Sequence, residues 1–202
     1  MSVDFFASPC TNPSGNCQNE LVHCLQPINN HMFGISDASA NQRVPAKIMF
    51  DNEVNWDFTI ENNVHNILFK AIDFCVEIYR TGTYDVYNDE SNISEFASDN
   101  IDINGNGLIK RCEGLLMNSD FILFFEIKNR LRGNWLIDAR RKFEETILSF
   151  KEYHPHLAGL IIEPIVANKC FYRSHQSEII QKKMLKDKIG VGFKIQSNFT
   201  IP

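Results

Sequence analysis

The sequence predicts a mixed α/β protein, and three patterns carry that prediction. Two neighbouring apolar runs, 108–117 and 121–129, have the composition of strands joined by a tight two-residue turn. Apolar residues recur at helical spacing over Trp135–Tyr153, and a further buried strand is expected at 157–167. Since this helix connects the strand at 121–129 to the strand at 157–167, we expect these two strands to run parallel.

Length and composition indicate a single domain with an extension. The chain has 202 residues, of which 44% are hydrophobic and 22% charged, as in ordinary globular proteins. No apolar run approaches the roughly 20 residues that a membrane span needs. The N-terminus lacks the pattern of a secretory signal, so a cytoplasmic location is expected. We expect an irregular N-terminal extension over 1–45 and one α/β domain over 46–202.

The remaining elements are predicted from the same periodicities. Apolar positions at helical spacing predict an amphipathic helix over 62–80, ahead of the two paired strands. A long polar loop is expected over 89–107. The other predicted elements are a short strand within 47–57, a strand at 83–88, a basic helix around 176–187 and a strand-like run over 190–201.

Charged residues at the end of the buried second strand are the main candidates for a functional site. Glu126 and Lys128 are two residues apart, so both side chains project from the same face of the strand. A two-residue turn places Glu113 of the first strand opposite Glu126, with Cβ atoms about 5 Å apart. Two carboxylates this close repel each other unless a cation lies between them, and a divalent metal is a common solution.

An acid on one strand followed by Glu-x-Lys on the next resembles the PD-(D/E)XK nuclease superfamily. The resemblance covers about residues 62–166, with Glu113 where that family usually has Asp. It implies a restriction-endonuclease-like αβββαβ core, with a mixed central sheet flanked by helices. It also implies that Glu113, Glu126 and the carbonyl of Ile127 hold Mg²⁺, with Mn²⁺ as an alternative. Lys128 would then assist the attacking water.

The resemblance further implies contributions from the two helices of the core. The helix ahead of the sheet often supplies an acidic residue, for which Asp73 is the candidate; a partly exposed helix position is the alternative interpretation. The helix after the Glu-x-Lys strand often supplies a cation to the metal site or the phosphate. Lys142 is the first candidate there, with Arg141 second, and a solvated basic turn is the alternative.

The charge distribution favours a polyanionic partner for the second half of the chain. Residues 1–109 carry 4 lysines and arginines against 15 acids, whereas residues 110–202 carry 16 against 10. A basic field beside an acidic centre suits a nucleic acid held around a metal site. We expect DNA as the partner, although no residue separates DNA from RNA, and a homodimer stays open. The candidate nucleic-acid-binding residues are Arg130, Arg132, Arg140 and Arg141.

Two other metal sites are considered and disfavoured. The loop from Asp102 to Glu113 satisfies the EF-hand pattern for Ca²⁺, but no flanking helices are predicted and its Asn-Gly pairs are ordinary turn residues. The N-terminal cysteines and histidines suggest zinc, but their spacing matches none of the usual ligand pairs. The residues concerned are Cys10, Cys17, His23, Cys24 and His31.

The leading hypothesis is therefore a magnesium-dependent phosphodiesterase that cleaves nucleic acid. The second hypothesis keeps the same fold but gives it a degenerate site, which binds nucleic acid or a protein partner without cleavage. Glutamate at position 113 and the acidic first half of the chain favour this second hypothesis.

Overall fold

The computed structural model has a mixed α/β architecture, with two mixed sheets, a two-stranded sheet and two α-helices among the residues it describes. The described residues are 3–7, 24–37, 44–51, 53–63, 66–80, 107–131, 134–170 and 176–201. In chain order the strands are β1 (Leu25–Ile28), β2 (Met32–Ser36), β3 (Lys47–Met49), β4 (Phe58–Asn62), β5 (Ile67–Ala71), β6 (Tyr79–Arg80), β7 (Gly107–Leu108), β8 (Gly114–Met117), β9 (Phe121–Ile127), β10 (Ile161–Ala167), β11 (Lys194–Gln196) and β12 (Asn198–Ile201). The helices are α1 (Trp135–Tyr153) and α2 (Gln176–Ile189).

Strand β9 lies inside the six-stranded sheet, whose order is β1-β5-β8-β9-β10-β11. All seven of its residues are buried, which explains its nearly continuous apolar sequence. It pairs antiparallel with β8 in the register Met117 to Ile122, as the two-residue turn predicts. Asn118 closes that turn, because its side-chain oxygen accepts hydrogen bonds from the N–H groups of Asp120 and Phe121. The predicted hairpin and its register are confirmed.

Helix α1 has the bounds expected from its periodicity and connects β9 to β10, which run parallel. The predicted crossover is therefore confirmed. Phe124 of β9 packs edge-on against Phe150 of the helix, with ring centroids 5.4 Å apart. Glu126 is two residues beyond Phe124, so it faces the same helix. The Glu-x-Lys pair thus lies on the face of the sheet that α1 covers.

The opposite face of the six-stranded sheet meets the second sheet, whose order is β12-β4-β2-β3. Phe125 carries this contact, with its ring centroid 6.2 Å from that of Phe58 on β4. Phe125 also stacks with Phe69 of β5 at 6.2 Å. Aromatic pairs at these separations add to the area they bury. The core is therefore layered as second sheet, six-stranded sheet and α1.

The predicted helix over 62–80 is wrong. Asn62 ends β4, and the described residues 66–80 form β5, a turn over 73–75 and the short strand β6. Strand β5 lies between β1 and β8 and is covered on both faces, so its run of apolar residues does not alternate. A short apolar run of this kind cannot be distinguished from a helix by periodicity alone. Asn66 and Phe74 also adopt positive φ angles of 68° and 63°, which no α-helix contains.

The expected irregular extension over 1–45 contains two strands. Strand β1 pairs with β5 at the edge of the six-stranded sheet, and β2 is an inner strand of the second sheet. Pro27 in β1 is tolerated because an edge strand leaves one row of backbone groups without a ladder partner. Both strands are specified by pairing with other strands, β1 with β5 and β2 with β3 and β4, which local patterning does not reveal.

The remaining predictions have mixed outcomes. The short strand within 47–57 corresponds to β3, and the basic helix corresponds to α2. The run over 190–201 divides into β11 and β12, which belong to different sheets. The predicted strand at 83–88 and the loop over 89–106 lie outside the described residues. Neither of the described helices has the length and hydropathy of a membrane span.

Candidate functional site

The candidate site lies where the ends of β5, β8 and β9 meet helix α1. Strand β8 begins at Gly114, so Glu113 lies at a bend just before the strand rather than inside it as predicted. The ladder ends with the pair Gly114 and Phe125, which leaves Glu113 next to Glu126. The backbone carbonyl of Glu113 accepts hydrogen bonds from the N–H groups of Ile72 at 2.8 Å and Asp73 at 3.4 Å. These bonds bring the turn after β5 to the same place.

Lys142 of α1 lies at the centre of this group. Its Nζ atom is 2.8 Å from Oε1 of Glu126, 3.4 Å from Oε1 of Glu113 and 3.7 Å from Oδ2 of Asp73. Glu126 is fully buried and Glu113 is 4% exposed. Three carboxylates from three segments therefore share one ammonium group. Among the basic residues 140–142, Lys142 is the one whose ammonium group contacts these three carboxylates.

Lys128 contacts the same oxygen of Glu126. Its Nζ atom is 2.7 Å from Oε1 of Glu126 and 3.2 Å from Oδ2 of Asp138. Asp138 also pairs with Lys110 at 3.1 Å. The sequence analysis missed Asp138, although its position four residues before Lys142 places both on one face of α1. That spacing was the available signal.

Asp73 reaches the site from a turn rather than from the predicted helix. Its Oδ1 atom accepts hydrogen bonds from the backbone N–H of Phe74 at 3.1 Å and from Nη2 of Arg111 at 3.0 Å. Arg111 is itself buried and donates from Nη1 to the carbonyl of Ile109 at 3.0 Å. Arg111 therefore pairs with Asp73 inside the site.

The protonation equilibria follow from burial and from the shared charges. Burial raises the pKa of Glu113 well above its usual range; Lys142 opposes that rise and Glu126 adds to it. Burial alone would lower the pKa of Lys142, but Glu126, Glu113 and Asp73 outweigh it and raise that pKa well above the ordinary value. Lys142 is therefore charged at neutral pH.

The two flanking groups shift in the directions that keep them charged. Burial would lower the pKa of Lys128, but the Glu126 carboxylate outweighs burial and raises it. Burial would raise the pKa of Asp138, but Lys128, Lys142 and Lys110 lower it to about 2. Lys128 and Asp138 are therefore both charged near neutral pH.

Asp37 is a further acidic residue at the site that the sequence analysis did not identify. It follows β2, and its backbone N–H donates to Oδ2 of Asp57 at 3.0 Å. Oδ1 of the same Asp57 carboxylate accepts from Asn129, just beyond β9, at 2.8 Å. Burial and then the charge of Glu126 raise the pKa of Asp37 to about 6. Placing β2 in the irregular extension hid this residue.

The donor set fits a hard divalent cation in its chemistry. Carboxylate oxygens are the ligands that Mg²⁺ and Mn²⁺ prefer. Oε2 of Glu126 is buried and has no hydrogen-bond donor among the described residues. However, no group of three or more Asp, Glu, His or Cys side chains in the described part of the chain has a metal-holding arrangement. Ile127 ends β9 and has a buried side chain; its carbonyl follows Glu126 in the chain. The Lys142 ammonium provides the positive charge among these oxygens.

The basic residues expected to bind nucleic acid are placed differently from one another. Arg130 is exposed and Arg141 is half-buried. Arg140 is buried; it pairs with Glu144 and donates from Nε to Oε1 of Gln181 at 2.8 Å. The pair with Glu144 within α1 and the hydrogen bond to Gln181 of α2 argue against a role for Arg140 in ligand binding. Arg132 lies outside the described residues.

Most residues of the disfavoured calcium and zinc sites lie outside the described residues. Of the EF-hand pattern, the loop residues 102–106 lie outside the described part of the chain, and the final residue, Glu113, pairs with Lys142. Cys10, Cys17 and His23 of the N-terminal set also lie outside it. Cys24 is buried beside the core, where cysteine acts as a small apolar residue. Calcium and zinc binding at these positions stay untested.

Comparison of the chain with protein-family models, curated proteins and solved structures found no match.

Proposed function

We propose that this protein is a metal-dependent phosphodiesterase that cleaves nucleic acid, with a core related to the restriction-endonuclease-like fold. The observation that carries the proposal is the convergence of Glu113, Glu126 and Lys128 beside a helix that adds Lys142. The connection of β5, β8, β9, α1 and β10 supports it, since this is the βββαβ part of the expected core. The first helix of that core has no counterpart among the described residues 53–63 and 66–80.

The proposed chemistry assigns each charged group a task. Glu113 and Glu126 would hold Mg²⁺ or Mn²⁺. Asp73 is a further candidate ligand, because it contacts the same Lys142 ammonium group as the two glutamates. The bound metal would supply an activated water and offset negative charge on the phosphate. Lys128 is held by Glu126 and Asp138, so its ammonium is oriented before substrate arrives. Arg130 and Arg141 would contact the nucleic-acid backbone without reading its sequence.

The test is cleavage of plasmid DNA and of RNA with Mg²⁺ or Mn²⁺. We expect Glu126→Gln and Lys128→Met each to lower the cleavage rate by roughly 100-fold or more, as loss of a preorganised charged group does. Lys183→Met is the matched control, because Lys183 is exposed on α2. Activity that survives both site substitutions would contradict the proposal, as would equal activity in EDTA.

A second candidate function is nucleic-acid or protein binding without cleavage. The observation that favours it is the internal neutralisation of the site, in which Lys142 and Arg111 already pair with the carboxylates. Calorimetry separates the two candidates. A degenerate site takes up no Mn²⁺ that depends on Glu113 and Glu126, whereas fluorescence anisotropy with labelled DNA still reports binding.

A further inference from the structure

Lys142 occupies the place of a bound cation. An ordinary salt bridge joins one ammonium group to one carboxylate, but Nζ of Lys142 lies within 3.7 Å of oxygens from Glu126, Glu113 and Asp73. These acids come from three separate segments that the backbone holds together. The Lys142 side chain is only 13% exposed, so water screens this cluster weakly. A cation of some kind is required here, and Lys142 provides it.

A second observation points to a further ligand. Oε1 of Glu126 forms ion pairs with both Lys128 and Lys142, but both of its carboxylate oxygens are buried without a hydrogen bond from a described residue, and Oε2 has no ion pair with these residues either. A buried carboxylate oxygen without a partner costs free energy, because it has lost water and gained nothing. The ammonium of Lys142 thus satisfies the charge of Glu126 but not its full bonding capacity. A divalent ion, which accepts oxygen ligands from several directions, can satisfy both.

We propose that Lys142 is a resident counter-cation and that a divalent metal binds by displacing its ammonium group from Glu126 and Glu113. This inference rests on the proposed function and adds its regulation. The ammonium and a metal compete for the same oxygens, and two cations this close repel each other. Lys142 therefore raises the metal concentration that the site needs.

The geometry separates Lys142 from Lys128 in this respect. Lys128 contacts Glu126, which belongs to the cluster. Its second partner, Asp138, does not belong to the cluster; Oδ2 of Asp138 lies 3.2 Å from Nζ of Lys128. Lys128 can keep Asp138 as its partner when a metal binds. Among the described residues, the ion pairs of Lys142 are all with members of the cluster itself, Glu126, Glu113 and Asp73. Removing Lys142 should therefore favour metal binding more than removing Lys128.

Isothermal titration of the purified full chain with Mn²⁺, without nucleic acid, tests the inference. We expect Lys142→Met to bind Mn²⁺ at least tenfold more tightly than the unchanged protein, Lys128→Met to show a smaller gain, and Lys183→Met to show none. Equal or weaker binding by Lys142→Met, while the unchanged protein binds Mn²⁺, would overturn the inference and leave the proposed function standing. Absence of Mn²⁺ binding in every variant would overturn both.

A second measurement uses the unchanged protein and covers the case in which Lys142→Met does not fold. Acetic anhydride acetylates free amines, and mass spectrometry reports the extent at each lysine. We expect Lys142 to react slowly without metal and several-fold faster with saturating Mn²⁺, because the displaced amine is released from its carboxylates. Lys183, exposed in either state, serves as the internal reference. Unchanged protection of Lys142 in the metal-saturated protein would contradict displacement.

Discussion

The position of Glu113 depends on the residue that follows it. Gly114 begins β8 at the point where this strand passes closest to β5 and to the ring of Phe125. A Cβ atom at position 114 would lie 2.6 Å from the carbonyl oxygen of Lys70 and 2.6 Å from the Phe125 ring. Neither neighbour can move freely, since one is backbone and the other is in the aromatic core. The absence of a side chain here lets Glu113 approach Glu126.

Gly114→Ala is therefore expected to destabilise the protein by about 1–3 kcal/mol, the usual cost of overpacking a core. Chemical denaturation measures this change. Gly159→Ala is the matched control, because a Cβ atom there has no neighbour within 4 Å. We expect the control to change the free energy of unfolding by less than about 0.5 kcal/mol. Equal effects of the two substitutions would contradict the close packing around Gly114.

Local sequence could reveal those candidate residues whose side-chain direction depends on a single strand or helix. Strand alternation predicted that Glu126 and Lys128 lie together. Lys142 was a candidate through the resemblance alone, and α1 brings it to Glu126. Asp37 could not be found in this way. It reaches the site because β2 pairs with β3 and β4 in a sheet that β12 completes from the other end of the chain, and nothing in its local pattern encodes that pairing.

At the scale of elements, α1 and β5 show why one prediction succeeded and the other failed. Helix α1 has one buried face and one half-buried face over 19 residues, so its period is unambiguous. Strand β5 has five residues and is covered on both faces, so its apolar run fits a helix equally well. The hairpin of β8 and β9 was predictable because a two-residue turn sets its register locally.

A buried hydrogen bond joins the segment before β8 to helix α1. The backbone N–H of Cys112 donates to Oγ1 of Thr146 at 2.9 Å, and both residues are fully buried. This bond holds the residue next to Glu113 against the helix that carries Lys142. Element packing and site geometry therefore depend on the same contact.

Thr146→Val keeps the shape of the side chain and removes the acceptor for Cys112. We expect a loss of about 1–3 kcal/mol in the free energy of unfolding, because a buried N–H is left without a partner. Thr59→Val, at a half-buried position of β4, is the control for the effect of replacing a threonine hydroxyl by a methyl group. Urea denaturation of both variants measures the difference. A loss no larger than that of the control would show that the Cys112 bond contributes little.

At the scale of the whole molecule, the described N-terminal residues 3–7 pack against the far end of α1. The backbone N–H of Phe5 donates to Nε2 of His154 at 3.2 Å, and the rings of Phe5 and Phe150 lie 5.3 Å apart. The acceptor role requires a neutral imidazole, since a protonated ring has only donors. Burial lowers the pKa of His154, Asp4 opposes that shift, and His156 adds to it.

The lowered pKa of His154 makes the stability of the protein depend on pH. Between the ordinary pKa of about 6.5 and the lower value in the fold, the unfolded chain binds the proton and the folded chain does not. Stability should therefore fall as pH falls below about 6.5. Asp37 acts in the opposite direction, because its folded pKa of about 6 lies above the ordinary 3.8, so the folded state binds its proton first.

Comparing variants isolates the histidine, since the contribution of Asp37 is common to all of them. We expect His154→Gln to lose part of the decline in stability between pH 6.5 and 5 because glutamine does not titrate. His156→Gln, at the exposed neighbouring histidine, should largely retain it. Thermal unfolding measured across this range gives the comparison. If the decline is identical in His154→Gln and the unchanged protein, the contact between Phe5 and His154 is not what makes the fold sensitive to acid.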